Sequence, residues 1–126
     1  MSYITSADIT DSVVTGITLT DYITRSDSAV VNLAREFGLT STQIVSPIDY
    51  NIKQWAINWV IVEVCLEKMG KVDTQNMLAD DKYAIKYAIY KERLKEIRSA
   101  LTVNMFLGTV YNQSDMVSSS GQLLRG

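Results

Sequence analysis

Residues 55–69 read WAINWVIVEVCLEKM, a segment whose apolar side chains run around most of a helical circumference rather than along one stripe. A helix of this kind needs neighbours on more than one side. In a chain of 126 residues few other helices exist to supply them, so the segments on either side must do the covering. The polar residues Lys53, Asn58, Glu63, Glu67 and Lys68 leave a narrow route to water. The expected buried line is Trp55, Ala56, Trp59, Val62, Leu66 and Met69, widened by Ile61, Val64 and Cys65. Val60, Ile61 and Val62 are β-branched and also suit a buried strand. Length and the tryptophan spacing favour one helix from Ile52 to Met69, stopped by Gly70.

A second segment, DDKYAIKYAIYKERLKEIRSAL, carries the strongest helical period. Tyr83, Tyr87, Tyr90, Leu94, Ile97 and Leu101 recur at four and three residues, a heptad-like seam roughly 27 Å long at 1.5 Å per residue. Tyrosines in a seam combine apolar burial with a hydroxyl that needs water or a partner. Lys82, Lys86, Lys91, Lys95 and Arg98 are read as a row on the opposite, solvated face. Asp80 and Asp81 precede the helix where its dipole favours negative charge.

Earlier in the chain, Leu19, Tyr22, Ile23, Ser26, Val30, Leu33, Ala34 and Phe37 draw one apolar stripe. The pattern predicts an amphipathic helix opening at Thr18 or Thr20 and ending at Gly38. Ser6 is expected to cap a short first helix over Ala7 to Val14, closed by Gly16. Thr40 to Asn51 is a connector holding Pro47, the single proline, with Asp49 placed to cap the apolar helix. Lys71 to Met77 reads as a loop. TVNMFLGTVYN alternates like a strand at Val103, Met105 and Leu107, so an extended arm or small hairpin is expected there. From Thr109 the chain turns polar and should be flexible. Leu123, Leu124 and Arg125 in that tail read first as part of a frayed terminus and second as a short docking element ordered by a partner.

The resulting expectation is a mainly α fold: a compact bundle of about four helices with a short extended or hairpin segment and a flexible C-terminal tail. Residues 1–108 form the domain and 109–126 the tail. At this length one core is feasible and two are not.

Acidic residues outnumber basic ones by 14 to 12, unevenly along the chain. Residues 1–50 hold six acids against Arg25 and Arg35, whereas residues 80–126 hold seven basic side chains against five acids. Such polarity suits front-to-back attraction between subunits and is too mild for a nucleic-acid footprint. The amino terminus lacks the pattern of a signal peptide. The longest apolar run, Trp59 to Val62, is far short of a membrane span, and a reducing aqueous compartment is expected.

Chemistry is sparse. Histidine is absent, which removes the usual proton shuttle at neutral pH and the commonest metal ligand. Cys65 is the one cysteine and reads as a small core hydrophobe. Glycine-rich phosphate loops, paired cysteines and the GxSxG elbow are missing. Asp80 and Asp81 are adjacent and project apart. Glu63 and Glu67 share a helix face, but the Glu-x-x-His partners of a di-iron bundle are lacking. Trp55 and Trp59, one turn apart, suit a core more than a ligand cage. No catalytic, cofactor-binding or metal-ligating residues are expected, and no enzyme.

The layout nevertheless resembles a known family. YITSADI near the start, TDYITRSDSAVVNLAREFG, IKQWAINWVIVEVC and YAIKYAIYKERLKEI, in that order over residues 3–101, are similar to the small head-tail connector proteins of tailed bacteriophages, also called adaptor or head-completion proteins. The resemblance implies a structural subunit, self-associated into a ring, usually a dodecamer, beneath the portal protein. Such a ring extends the DNA channel and receives a stopper or tail completion protein. Double-stranded DNA passes through without specific recognition, and no membrane is involved. It also implies assembly in the host cytoplasm and residence at the head-tail interface of the virion. By analogy Met105 to Gly126 would dock on the portal or a neighbour. Only Gly70 to Ala79 separates the two long helices, too short for a large channel-lining loop, and the Gly70 to Gln75 stretch is expected near an assembly surface. The alternatives kept beside this are another phage morphogenesis role such as tail completion, where more strand is expected, and a small helical regulatory binding protein.

Overall fold

The computed structural model describes residues 2–69 and 82–108, and among them every regular element is helical. Two 3-10 turns, Ser6–Asp8 and Ser12–Val14, lead into α1 (Thr20–Glu36). A third 3-10 turn, Ser41–Gln43, precedes α2 (Tyr50–Lys68), and α3 (Lys82–Ala100) is followed by the short α4 (Val103–Leu107). α2 lies in the middle, packed most extensively against α3 and then against α1, as expected of a helix apolar on several sides.

α1 follows its stripe. Tyr22, Ile23, Ser26, Val30, Leu33 and Ala34 are buried, and the Ser26 hydroxyl, inside the core, donates to the Ile23 carbonyl at 2.6 Å. The helix stops because Gly38 takes a positive φ of 81°. There the Leu39 amide reaches back to the Ala34 carbonyl at 3.0 Å and the Gly38 amide to the Arg35 carbonyl at 2.9 Å, the paired bonds of a Schellman ending. At the head of α2 the Asp49 carboxylate accepts the Asn51 amide at 2.8 Å, the cap expected from sequence.

Within α2 the wholly enclosed line is Ile52, Ala56, Val60 and Val64, one residue per turn, with Cys65 beside it. Four positions depart from expectation. Leu66, placed in the buried line, is 47 % exposed, Trp59 and Met69 of the same line are only partly covered, and Asn58, placed on the route to water, is buried. α1 and α3 both pack on α2 and leave an arc of it open at Trp59, Glu63 and Leu66. Asn58 turns inward, and its side-chain amide donates to the Gln54 carbonyl at 2.6 Å.

The seam of α3 is as read: Tyr90 and Leu101 are buried and Tyr83, Tyr87, Leu94 and Ile97 pack partly covered against the same core. The cations are not opposite it. They flank the seam on both sides, and the far face carries Ile85 and Ile89 with Glu92 and Glu96.

Two further readings are corrected. The expected helix over Ala7 to Val14 is two separate turns, because carboxylates take the amides a helix would use: Asp8 accepts from the Thr5 amide at 2.8 Å and Asp11 from the Val13 amide at 2.8 Å. Ile4, Ile9, Val13 and Val14 still reach the core. The extended arm or hairpin expected after Leu101 is instead α4. Its buried residue is Phe106, whose ring lies 5.1 Å from that of Phe37, while Val103 and Leu107 stay exposed. A helical turn puts Phe106 inward and lets its carbonyl accept the Val45 amide at 2.8 Å, which the alternating pattern would not. Gly70, the Lys71 to Met77 loop, the Gly70 to Gln75 stretch, Asp80 and Asp81, and the tail from Thr109 lie outside the described residues.

Candidate assembly surfaces

Cations of α2 and α3 pair with carboxylates of the amino-terminal half. Lys86 Nζ meets Asp11 Oδ2 at 3.1 Å, Lys53 meets Asp8 at 3.3 Å, and Arg98 Nη2 meets Glu36 at 3.0 Å. Arg98 also lies over the Phe37 ring at 4.7 Å, so its guanidinium ties the C-terminal part of α3 to the end of α1. Lys82 and Lys91 sit over the rings of Tyr83 and Tyr87, and Lys95 is near Glu92 at 3.9 Å. Lys86 and Arg98 therefore clamp the fold rather than line a solvated row. The acidic partners were not picked out from sequence; the signal available was the separation of acids in the first half from cations in the second.

Asp11 is the hub of this arrangement. One oxygen accepts from Lys86 and from the Tyr90 hydroxyl, and the other accepts the Val13 amide. Burial acts to raise its pKa, but the bonds from Tyr90, Val13 and Lys86 outweigh it and hold the carboxyl below the usual range. Asp8 is also lowered, chiefly by the Thr5 amide, with Lys53 assisting. Tyr90 is pushed up, first by burial and then by the adjacent Asp11 charge.

Glu63 and Glu67 do share a face, and what they share is Arg25 of α1. Its guanidinium lies 3.0 Å from Glu67 and 3.9 Å from Glu63, and the Tyr22 hydroxyl donates to Glu67 at 2.8 Å. Among the described residues no three acidic or cysteine side chains converge as a metal cage, and no helix is long and apolar enough to cross a membrane. Cys65 is enclosed in the core.

Trp55 is buried as expected, whereas Trp59 is only half covered, and together they floor a groove of about 480 Å³ between α1 and α2. Ala29 and Leu33 form its apolar α1 side, and Arg25, Glu36 and Glu63 contribute charge around it. The far face of α3 carries a ridge made by Ile85 and Ile89, 61 % and 41 % exposed. Among the described residues the groove and the exposed pair Ile85 and Ile89 lie on different elements, and Tyr50, Leu66, Val103 and Leu107 are exposed as well. No family model, curated protein or solved structure matches this chain significantly.

Proposed function

We propose that the chain is a structural head-tail connector subunit of a tailed phage, forming a ring beneath the portal that extends the DNA channel and receives the stopper or tail. The observation that carries the reading is a helical domain that has a buried core and still leaves apolar side chains open on two unlike surfaces, the α1–α2 groove and the Ile85–Ile89 face of α3. A contact between unlike patches repeats around a closed ring, whereas self-paired patches stop at a dimer. The order of segments along residues 3–101 supports the same reading.

The mechanism is coupling and gating by surfaces, without catalysis, and the virion's head-tail interface is its place. A conduit works best when phosphate is not held, since each contact releases counterions and adds affinity. Lys86 and Arg98, neutralised by Asp11 and Glu36, fit that requirement. The tail-completion alternative was expected to be richer in strand, and the described residues contain none, which favours the connector.

Native mass spectrometry of the full chain, alone and mixed with the portal protein of the same phage, tests the reading. A discrete ring on the portal is expected. A chain that stays monomeric with portal present, or that binds duplex DNA with steep salt dependence, would count against it and for a regulatory role.

A further inference from the structure

We propose that the cleft between α2 and α3 binds an extended peptide segment of a partner protein, with the peptide backbone held by a row of side-chain amides, Asn51, Gln54 and Asn58. The inference goes beyond the connector reading and does not depend on it.

The cleft has a volume of about 570 Å³, and all three amides line it from α2. Their spacing of three and four residues puts them on one face of the helix. They are exposed, half-buried and buried in that order, so the cleft deepens from the start of α2 inward. At its deep end Asn58 is 6 % exposed, and its Oδ1 has no hydrogen-bond partner among the described residues. A buried acceptor left unpaired carries a cost that an arriving N–H donor removes. The oxygen is enclosed as it stands, but the terminal torsion of an asparagine is soft, so a donor in the cleft can draw it outward. The Gln54 side chain, one turn earlier, likewise forms no hydrogen bond among the described residues.

Charge does not choose the occupant. Asp8 and Asp11, which also line the cleft, are spent on Lys53 and Lys86, and the exposed Arg93 and Glu96 at its edge offset each other. What remains is amide chemistry, and a side-chain amide offers donors and an acceptor to match the N–H and C=O of a peptide group. From Asn51 to Asn58 the helix rises about 10.5 Å, the length of about three residues of extended chain. Ile57, Ile61 and Ile97 add apolar wall for the side chains of the peptide. Capture in which backbone bonds supply affinity and apolar contacts select side chains is a recurrent mode of peptide recognition.

The test is a proton–nitrogen NMR titration of the full chain, read at the side-chain amide signals, with a pool of end-blocked hexapeptides of random sequence. A second pool of the same composition is N-methylated along the backbone and has no N–H to give. The first pool should shift the Asn51, Gln54 and Asn58 signals saturably, and the second should not. Gln54→Met, which removes the amide and keeps the length, and Asn58→Leu should each weaken binding about tenfold. The same spectra show that each variant folds.

No shift with the first pool, an equal shift with the methylated pool, or undiminished binding by Gln54→Met would overturn the proposal. Tighter binding at the same signals by a peptide of residues 109–126 would give the cleft to this chain's own tail and overturn the assignment to a partner. None of these results bears on whether a ring forms on the portal, so the two readings fail separately.

Discussion

Asp11, heading the second 3-10 turn, accepts a hydrogen bond from the Tyr90 hydroxyl of α3 across 79 positions of chain. Lys86, one turn earlier on α3, donates to the same oxygen. The amino-terminal segment is thereby fastened to the helix farthest from it in sequence among the long ones. A bond between a buried hydroxyl and a carboxylate is worth about 1.5–3 kcal/mol net. Tyr90→Phe should therefore lower the melting temperature by several degrees, and Asp11→Ala by more, since it also strands Lys86 and the Val13 amide. Thermal melts of both and of the double variant check this, with the double variant losing less than the sum of the singles. Strict additivity would show that the hydroxyl and the carboxylate do not act together.

Acid should weaken the fold through the same segment. Asp8 and Asp11 have pKa values lowered in the folded state, whereas in the unfolded chain an aspartate titrates near about 3.9. A lowered folded value means that the unfolded chain takes up protons first. The stabilisation is thus fully present well above about pH 4 and is lost as pH falls through that value towards the lower folded pKa. Tyr90 and Tyr22 are raised, each first by burial and then by a neighbouring carboxylate, so their contribution is complete below about pH 10 and is lost as pH rises through the folded value. Chemical unfolding followed from pH 3 to 11 should give a plateau that falls at both ends, and Asp11→Asn should flatten the acid limb.

The short α4 should matter more than its length implies. Phe106 is fully enclosed against Phe37, and truncating such a ring costs about 3–5 kcal/mol. Gly108 has φ +70°, and a Cβ there would stand 2.8 Å from the Val45 methyl carbons, so Gly108→Ala adds overlap to a left-handed backbone that costs about 1–2 kcal/mol on its own. Both variants should unfold at clearly lower urea concentrations than the parent. An unchanged midpoint for Phe106→Ala would mean that α4 is not part of the cooperative core.

Asn58 offers a gain. Its Oδ1 has no hydrogen-bond partner among the described residues, and its amide bonds only within its own helix, to Gln54. A buried acceptor left without a partner costs about 1–3 kcal/mol, and an apolar side chain of similar shape removes that cost. Asn58→Leu should hold or raise the melting temperature by a few degrees in a differential scanning measurement. A marked fall would show that the Asn58 carbonyl is satisfied in solution.

The long helices could be read because their information is periodic. The stripe from Leu19 to Phe37 and the seam from Tyr83 to Leu101 each repeat enough times to overrule local preference, and Asp49 and Gly38 mark boundaries by side-chain and backbone chemistry. Failures came where few residues carry the decision. At Ser6 to Val14, Asp8 and Asp11 redirect a helical pattern by taking backbone amides themselves. At Val103 to Leu107, five residues fit two periods, and the choice was made by Phe37, far away in sequence. Leu66 and Asn58 exchanged places because which arc of an all-round apolar helix stays open depends on where its neighbours land. The groove is half legible in Trp55 and Trp59, whereas Ile85 and Ile89 fall outside the Tyr83 to Leu101 seam and are too few to set a period of their own.

α1 and α3 both lean on α2 and meet each other chiefly where Arg98 reaches Glu36 and the Phe37 ring. The two outer flanks can consequently drift or be engineered almost separately: a change on the α1 surface has to be transmitted through the central rod before α3 registers it. Such modularity would let one flank follow an altered neighbour while the other holds its old one.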